Sequence, residues 1–263
     1  MKAFSLFSGW STALCSTILC FWDTQAHAVD SVPADFSTND AFLLEQGQWS
    51  VGIFAPLRYG LSDKTELSMH PGWALMAPHI GISRAYSTSS KWQITSHHQI
   101  GYPTPLLKKL ARPGIGGILT PDSVIPNIIH LENDVLLSQF TSIGEITLVG
   151  GVNVAMSVGE ENYNTIDAPY AFQKTNTYQN HLALHLGFGW QQYWGEKFGY
   201  RYFVQTWYTP LADAQWVIDE KHALLWLVSN TQQIQLGMNV IVGEYPYGWN
   251  IHALPTMDWI WVW

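Results

Sequence analysis

The chain has 263 residues, of which 12% are charged and 14% are aromatic, and its formal net charge is −8. The charged share is about half of the roughly 25% that is usual for soluble domains. Phosphate backbones are bound by clustered Lys and Arg, so this composition argues against nucleic acid as a partner. It fits a protein with one side facing an apolar medium and the other facing water.

Residues 1–28 have the pattern of a secretory signal peptide. Lys2 supplies the positive charge, an apolar run extends from Ala3 to about Phe21, and Ala26-His27-Ala28 is a small-x-small cleavage pattern. We therefore expect export and a mature start at Val29. An uncleaved membrane anchor is the alternative, since the run approaches the length that spans a bilayer. The cleavage pattern, with no basic cluster after it, favours removal.

Cys15 and Cys20 are the two cysteines of the chain, and both lie in this segment. The mature protein is therefore expected to have no disulfide, no Cys-ligated metal and no thiol nucleophile.

Residues 29–47 are polar and irregular, and we interpret them as a lead-in to the folded domain at 48–263. From residue 48 onward, alternating apolar and polar runs are separated by turn residues, which predicts β-strands. Strands are predicted at 48–59, 65–70, 79–86, 92–102, 127–138, 145–159, 181–190, 199–208, 222–228, 233–243 and 257–263. Because closed bacterial barrels usually have an even strand number, we expect twelve strands, with ten as the fallback. The predicted strands number eleven, so either one strand was missed, at 41–46 or within 71–78, which gives twelve, or one strand was wrongly divided in two, which gives ten.

Alternation alone fits two kinds of barrel, a secreted lipocalin-like barrel with its apolar face inward and a membrane barrel with that face outward. A soluble barrel presents Lys, Glu and Asp to water on its polar face. Here that face carries mainly Gly, Ala, Ser, Thr, Asn, Gln and His, which suits a narrow hydrated lumen. Aromatic residues also gather near strand ends, as girdle residues do. We therefore predict an all-β fold, an antiparallel up-and-down transmembrane β-barrel.

The last seven residues place Met257, Trp259, Trp261 and Trp263 on one face of a strand. This ending resembles the C-terminal strand of bacterial outer-membrane β-barrel proteins, which typically ends on an aromatic residue that the barrel-assembly machinery reads. The resemblance implies the outer membrane of a Gram-negative bacterium, contact with outer-membrane lipids and lipopolysaccharide, and an assembly signal at the three tryptophans.

The stretch from Arg58 to Leu67 also resembles a strand-turn-strand signature common in outer-membrane barrels. Short and long connections alternate along the chain, and short turns belong to the periplasmic side of such barrels. This phase places Trp263 on the periplasmic side and makes residues 29–47 a periplasmic lead-in.

Polar residues on the inward face are the candidate lumen groups: Arg58, Glu66, His70, His97, His130, Glu132, Asp134, His181, His185 and Arg201. Such groups bind a cation or act as acid and base, or they fill a small barrel with satisfied ion pairs and hydrogen bonds, which is the more common case. On a strand, His181 and His185 stand about 13 Å apart at ~3.3 Å per residue, too far to share a metal. We predict no metal site and no cofactor.

A lipid hydrolase needs a nucleophile, a base and an orienting group that lie together. Ser96, His97 and His98 are adjacent, and Ser138 shares a face with Asp134. Neither arrangement matches the motifs of the outer-membrane phospholipase or lipid A deacylase families.

The loop from Thr104 to Gly117 contains the densest positive cluster, formed by Lys108, Lys109 and Arg112. Thr104-Pro105 begins a predicted short helix that ends before Gly114. One hypothesis places this helix against lipopolysaccharide phosphates, with its apolar side at the acyl boundary. The alternative is a loop helix packed over the barrel mouth.

These patterns predict a role without catalysis, either a small-solute pore or a structural or interaction barrel. A lipid-modifying hydrolase of the outer membrane and a secreted soluble barrel are the alternatives.

Overall fold

The computed structural model describes residue 36 and residues 39–86, 91–113, 118–166, 168, 171–245 and 248–263. The predicted signal peptide at 1–28 lies outside the described residues, as does most of the segment at 29–38.

Twelve antiparallel strands form one closed barrel, in which each strand pairs with its neighbours in sequence and the last pairs with the first. The prediction of a twelve-stranded up-and-down barrel is confirmed. The strands are β1 Trp49–Gly52, β2 Leu57–Ser62, β3 Thr65–Met69, β4 His79–Tyr86, β5 Gln93–Gly101, β6 Asn127–Thr141, β7 Gly144–Val158, β8 Leu182–Trp194, β9 Phe198–Tyr208, β10 Trp216–Ser229, β11 Gln232–Tyr245 and β12 Gly248–Val262.

The twelfth strand comes from the run at 48–59, which was predicted as one strand and is two, β1 and β2. Residues 53–56 bend between them, and the Asp258 carboxylate of β12 accepts hydrogen bonds from the backbone N–H groups of Phe54 and Ala55 at 3.1 and 2.8 Å. Residues 41–46 form no strand, and Pro71–Trp73 form a short 3-10 helix. Both suggested positions for the missing strand were therefore wrong.

β10 and β12 are longer than predicted, and each begins where the sequence suggested a loop. β10 starts at Trp216. Asp219 and Lys221 resemble loop residues in the sequence, but both are strand residues on the polar inner wall. β12 starts at Gly248 and continues through Pro255, which pairs with Met238. Residues 248–256, which the sequence left outside the last predicted strand, therefore belong to β12.

Side chains on the two faces of the barrel differ in polarity, as the alternation requires. The outer face exposes large apolar residues such as Ile100, Leu148, Leu186, Met238 and Met257. The inner wall buries polar residues, including Thr95, Ser138, Thr147, Asn153 and Gln233. No helix in the part of the chain that the structure describes is long and apolar enough to cross a membrane.

The connections alternate between the two rims of the barrel. One rim, the short-turn rim, carries the turns at 63–64, 142–143, 195–197 and 230–231. It also carries the closure of the barrel, where Trp49 and Trp263 exchange backbone hydrogen bonds of 2.8 and 3.0 Å. The opposite rim, the long-loop rim, carries the connections at 102–126 and 159–181.

Two helices lie at the long-loop rim, α1 at Thr104–Leu110 and α2 at Ala171–Asn180. Phe172 at the start of α2 packs against Ile241 and Tyr245 of β11, and Tyr178 near its end packs against Ile128 of β6. α2 therefore spans the mouth of the barrel between these two walls.

Candidate functional site

Residues 39–46, which we call the luminal segment, run inside the barrel near the short-turn rim. The Ala41 N–H donates to Ser138 Oγ at 2.9 Å, and Thr95 Oγ1 donates to the Ala41 carbonyl at 2.5 Å. The Ala41 side chain is fully buried against Leu136 of β6 and Phe203 of β9. The structure thus places this part of the predicted lead-in in contact with the inner wall.

An ion pair between β2 and β3 holds the luminal segment. Arg58 donates twice to the Glu66 carboxylate, at 2.7 Å from both Nε and Nη2, and both side chains are at least 95% buried. Glu66 Oε2 also accepts the Leu44 N–H at 3.0 Å, and Arg58 Nη2 donates to the Phe42 carbonyl at 3.4 Å. A side chain on Gly60 would collide with the backbone of the segment, so this close approach requires glycine.

A cavity of about 250 Å³ remains between the luminal segment and the wall. It brings together five of the predicted lumen residues, which are Arg58, Glu66, His97, Glu132 and Asp134. The carboxylates outnumber the single guanidinium, so the cavity is polar and acidic.

Polar side chains of four strands line the wall beside the cavity. Ser83 Oγ of β4 lies 2.9 Å from His97 Nδ1 of β5, and the backbone of His97 lies opposite that of Asp134 in the pairing of β5 with β6. Asp134 Oδ1 lies 3.0 Å from His185 Nε2 of β8. Gly151 leaves the space for this contact, because a side chain there would collide with both partners. Mutually paired groups of this kind fill a small barrel.

His130 and Arg201 also lie on the inner wall, but away from the cavity. His130 is buried toward the long-loop rim, where its ring meets the edge of Tyr178 at a centroid distance of 5.3 Å. Burial raises the pKa of Tyr178, and the nearby Glu132 carboxylate adds to the shift. Arg201 Nε donates to Gln191 Oε1 at 2.6 Å.

His70 and His181 lie outside the barrel strands, in contrast to the other predicted lumen residues. His70 follows β3, and its Nε2 lies 2.8 Å from the carbonyl oxygen of Phe54. His181 precedes β8, is exposed and has φ 65°, a left-handed conformation at the junction with α2. His181 was expected on the inner wall. That expectation is wrong because β8 starts one residue later, at Leu182.

α1 forms where the sequence predicts a short helix. Leu107 on one side is 2% exposed and packs in the loop cluster with Ile128 and Tyr178. Its apolar side therefore covers the barrel mouth. Lys108 and Lys109 remain exposed, as does Arg112 just beyond the helix.

At the C-terminus, Trp259 and Trp261 lie on the outer face with stacked rings at a centroid distance of 5.0 Å. Trp263 is exposed next to Trp49 at the short-turn rim. The aromatic row therefore borders the seam that closes the barrel.

The sequence placed Ser96 and His98 close together but did not identify their partners in a polar group on the outer face, Asn133 and Tyr86. In β5 the alternation turns His97 inward and Ser96 and His98 outward. His98 Nδ1 lies 2.9 Å from Oδ1 of Asn133 on β6, and Ser96 Oγ lies 3.0 Å from the Tyr86 hydroxyl of β4. The available signal was a run of polar residues at positions where the strand pattern requires apolar ones.

A second outward group lies on β9 and β10. Tyr200 pairs with His222 Nδ1 at 2.5 Å, and Tyr202 donates to Glu220 Oε1 at 2.9 Å. His222 Nε2 lies 3.4 Å from the same carboxylate oxygen. These four side chains satisfy one another and include no serine or cysteine nucleophile.

Among the described residues, no three His, Cys, Asp or Glu side chains converge so that they could hold a metal ion. No protein-family model matches the chain. A search of curated proteins likewise finds no match.

Proposed function

We propose that the protein is a transmembrane β-barrel of the Gram-negative outer membrane with a lumen closed by its own N-terminal segment. In this proposal it is a structural or interaction barrel and does not conduct as an open pore. The observation that carries the proposal is the inverted polarity of the barrel, with apolar side chains exposed outside and polar ones buried inside.

The energetics of the outer face support a membrane environment. Apolar surface left in water costs roughly 25 cal/mol per Å² relative to burial, and soluble monomers rarely expose apolar patches of more than a few hundred Å². β5 and β6 have 9 and 15 residues, whereas a tilted strand crosses a bilayer in about 9–11. A closed barrel also satisfies its backbone hydrogen bonds internally, as the hydrocarbon region demands. A secreted lipocalin-like barrel needs the opposite polarity.

The contents of the lumen argue against free passage of solutes. The luminal segment is bonded to β2, β3, β5 and β6 near one rim. α2 spans the mouth at the other rim. A cavity of about 250 Å³ lies beside the luminal segment.

The two rims suggest different partners. Lys108, Lys109 and Arg112 are exposed at the long-loop rim, where cations are suited to lipopolysaccharide phosphates. Trp259, Trp261 and Trp263 lie at or near the short-turn rim, and we propose that the barrel-assembly machinery reads them during insertion.

Conductance of the mature protein in planar lipid bilayers tests the closed lumen. We expect the wild-type protein to insert without steady open-channel current. Glu66→Ala should produce intermittent openings, because it removes the acceptor of the Leu44 N–H. Glu196→Ala, at an exposed short turn, is the matched control and should remain silent. Steady current through the wild-type protein would favour the small-solute pore instead.

A further inference from the structure

We propose that Ser96, His98 and Asn133 form a hydrolytic site on the outer face of the barrel, which cleaves the acyl ester bonds of membrane lipids. This inference rests on the proposed membrane location and adds a catalytic activity to it. The three residues lie on two adjacent strands and share the lipid-facing side of the wall.

The contact between His98 and Asn133 fixes the state of the imidazole. The two residues are directly opposite in the pairing of β5 with β6, and His98 Nδ1 lies 2.9 Å from Asn133 Oδ1. An amide oxygen only accepts hydrogen bonds, so Nδ1 is the donor in this contact, and in the neutral ring Nε2 then has the free lone pair. That tautomer is the one a general base needs, with the third group orienting the ring.

Ser96 supplies the nucleophile. It lies two residues before His98 on the same face of β5, at a Cα separation of about 6.6 Å for a strand. In the structure its hydroxyl pairs with Tyr86 at 3.0 Å and is covered, with 6% of the residue exposed. The proposed reaction requires the Ser96 hydroxyl to leave Tyr86 and turn toward His98 when substrate binds, since hydrogen bonds between catalytic groups are often long or misaligned in a free enzyme.

Arg84 indicates the depth of the site in the bilayer. It is exposed on the outer face and pairs with Ser96 on one side and with Thr65, the first residue after a short turn, on the other. A charge on the lipid face costs about 2–4 kcal/mol at the midplane and about 0–1 near the interface. Arg84 therefore lies near the interface, where the ester linkages of lipids are found.

The reaction is hydrolysis in two steps. The Ser96 oxygen adds to the ester carbonyl as His98 Nε2 takes its proton, and the ester C–O bond then breaks as His98 returns the proton to the departing alcohol. Water next attacks the acyl-serine with His98 again as base, which releases the fatty acid and restores Ser96. Arg84, which lies opposite Ser96 in the pairing of β4 with β5, and the Tyr86 hydroxyl supply donors for the carbonyl oxygen as it becomes negative. One ester and one water give one acid and one alcohol.

A second serine–histidine pair lies on the same two strands but faces inward. Ser83 Oγ is 2.9 Å from His97 Nδ1 beside the internal cavity. The outer pair lies on the lipid-facing side of the wall, with His98 exposed and Ser96 covered until substrate binds, whereas the inner pair is reached only through a closed lumen. If the outer pair is the site, substitution of Ser96 abolishes lipid cleavage and substitution of Ser83 does not. If the inner pair is the site, the reverse is expected.

The test uses the full mature protein in mixed micelles, with fatty-acid release as the first readout. The substrates are an ester-linked glycerophospholipid, its ether-linked analogue and lipopolysaccharide, which separates the two sources of acyl ester. The second readout is covalent labelling of Ser96 by a fluorophosphonate. We expect ester cleavage, no release from the ether lipid, and labelling at Ser96.

Among the variants, Ser96→Ala and His98→Ala should each reduce the rate by at least about 10³-fold. Asn133→Ala should reduce it less, and Asn133→Asp should restore part of it, since a carboxylate oxygen also orients the ring. Thr206→Ala, an outward residue on β9, is the matched control and should leave the rate unchanged.

Two outcomes overturn the site. One is a correctly assembled wild-type barrel that releases no fatty acid from either lipid and is not labelled. The other is loss of activity in Ser83→Ala with retention in Ser96→Ala, which would move the reaction into the lumen. Assembly is read separately from heat-dependent gel migration. A protein that cleaves lipid in micelles but is absent from outer membranes would contradict the proposed location and leave the site standing.

Discussion

Arg58 and Glu66 face each other as a bidentate ion pair inside the barrel, and the carboxylate that Arg58 binds is the one that anchors Leu44 of the luminal segment. A single pair thus connects β2, β3 and the segment that fills the lumen. Because both groups are buried, each charge is neutralised mainly by the other. Removing either group should therefore destabilise the fold.

Glu66→Ala should lower the free energy of unfolding by about 3–5 kcal/mol, since it removes the carboxylate that neutralises the buried Arg58 guanidinium. Urea titration in detergent micelles, followed by tryptophan fluorescence, measures this change. The double variant Arg58→Met with Glu66→Met removes both charges and should lose less. A double variant at least as unstable as Glu66→Ala would mean that the loss does not come from the isolated charge.

A disulfide should lock the luminal segment in place. Ala41→Cys with Ser138→Cys joins two positions whose backbone N–H and side-chain oxygen are 2.9 Å apart. We expect the mature double variant to form an intramolecular disulfide under oxidising conditions, detected as a mobility difference between reduced and non-reduced gels. The pair Ala41→Cys with Thr206→Cys, which places the second cysteine on the outer face, is the control and should remain reduced. Equal cross-linking of the two pairs would show that residue 41 is not held against β6.

Stability should fall at alkaline pH partly through Tyr178. Burial raises the pKa of this residue in the folded protein, while the unfolded chain keeps a value near about 10. Below about pH 10 both states are neutral and the residue contributes no pH dependence. Above it the unfolded state ionises first, so the free energy of unfolding decreases by up to about 1.4 kcal/mol per pH unit.

Tyr178→Phe should remove this part of the decrease. Unfolding titrations of the wild type and the variant at about pH 8 and pH 11 measure the difference. Parallel losses in the two proteins would indicate that Tyr178 ionises normally.

Deletion of Trp263 should impair insertion, because it removes the terminal aromatic residue and the backbone hydrogen bonds that join it to Trp49. The amount of protein in washed outer membranes, compared with a Trp49→Phe variant that keeps the backbone bonds, measures the effect. Equal amounts of the truncated and full-length proteins would contradict a role of Trp263 in assembly.

The strand pattern and the inward positions of the wall were largely predictable from the sequence. Strict alternation over β7, β8 and β11 predicted both the strands and the face that each residue occupies. Strand ends were less predictable where a polar residue faced the lumen. Asp219 and Lys221 looked like loop residues, although inside a polar barrel they belong to the wall.

The contacts between distant segments could not be predicted. The chain ahead of β1 looked like a polar lead-in, because its bonds are made by backbone groups of Ala41 and Leu44 to residues far away in sequence. Asn133 was missed for the same reason, since its partner His98 is 35 positions away and only the pairing of β5 with β6 brings them together. Alternation assigns a residue to a face, but the neighbour on that face depends on register.

If this chain forms a closed β-barrel in the outer membrane, its migration in a gel should depend on heating. Washed outer membranes from cells that express the full chain are mixed with detergent, and samples are run with and without boiling. The unboiled protein should keep its closed barrel and migrate at a different apparent mass from the boiled one. A protein found outside the outer-membrane fraction, or one whose migration is unchanged by boiling, would contradict a closed barrel in that membrane.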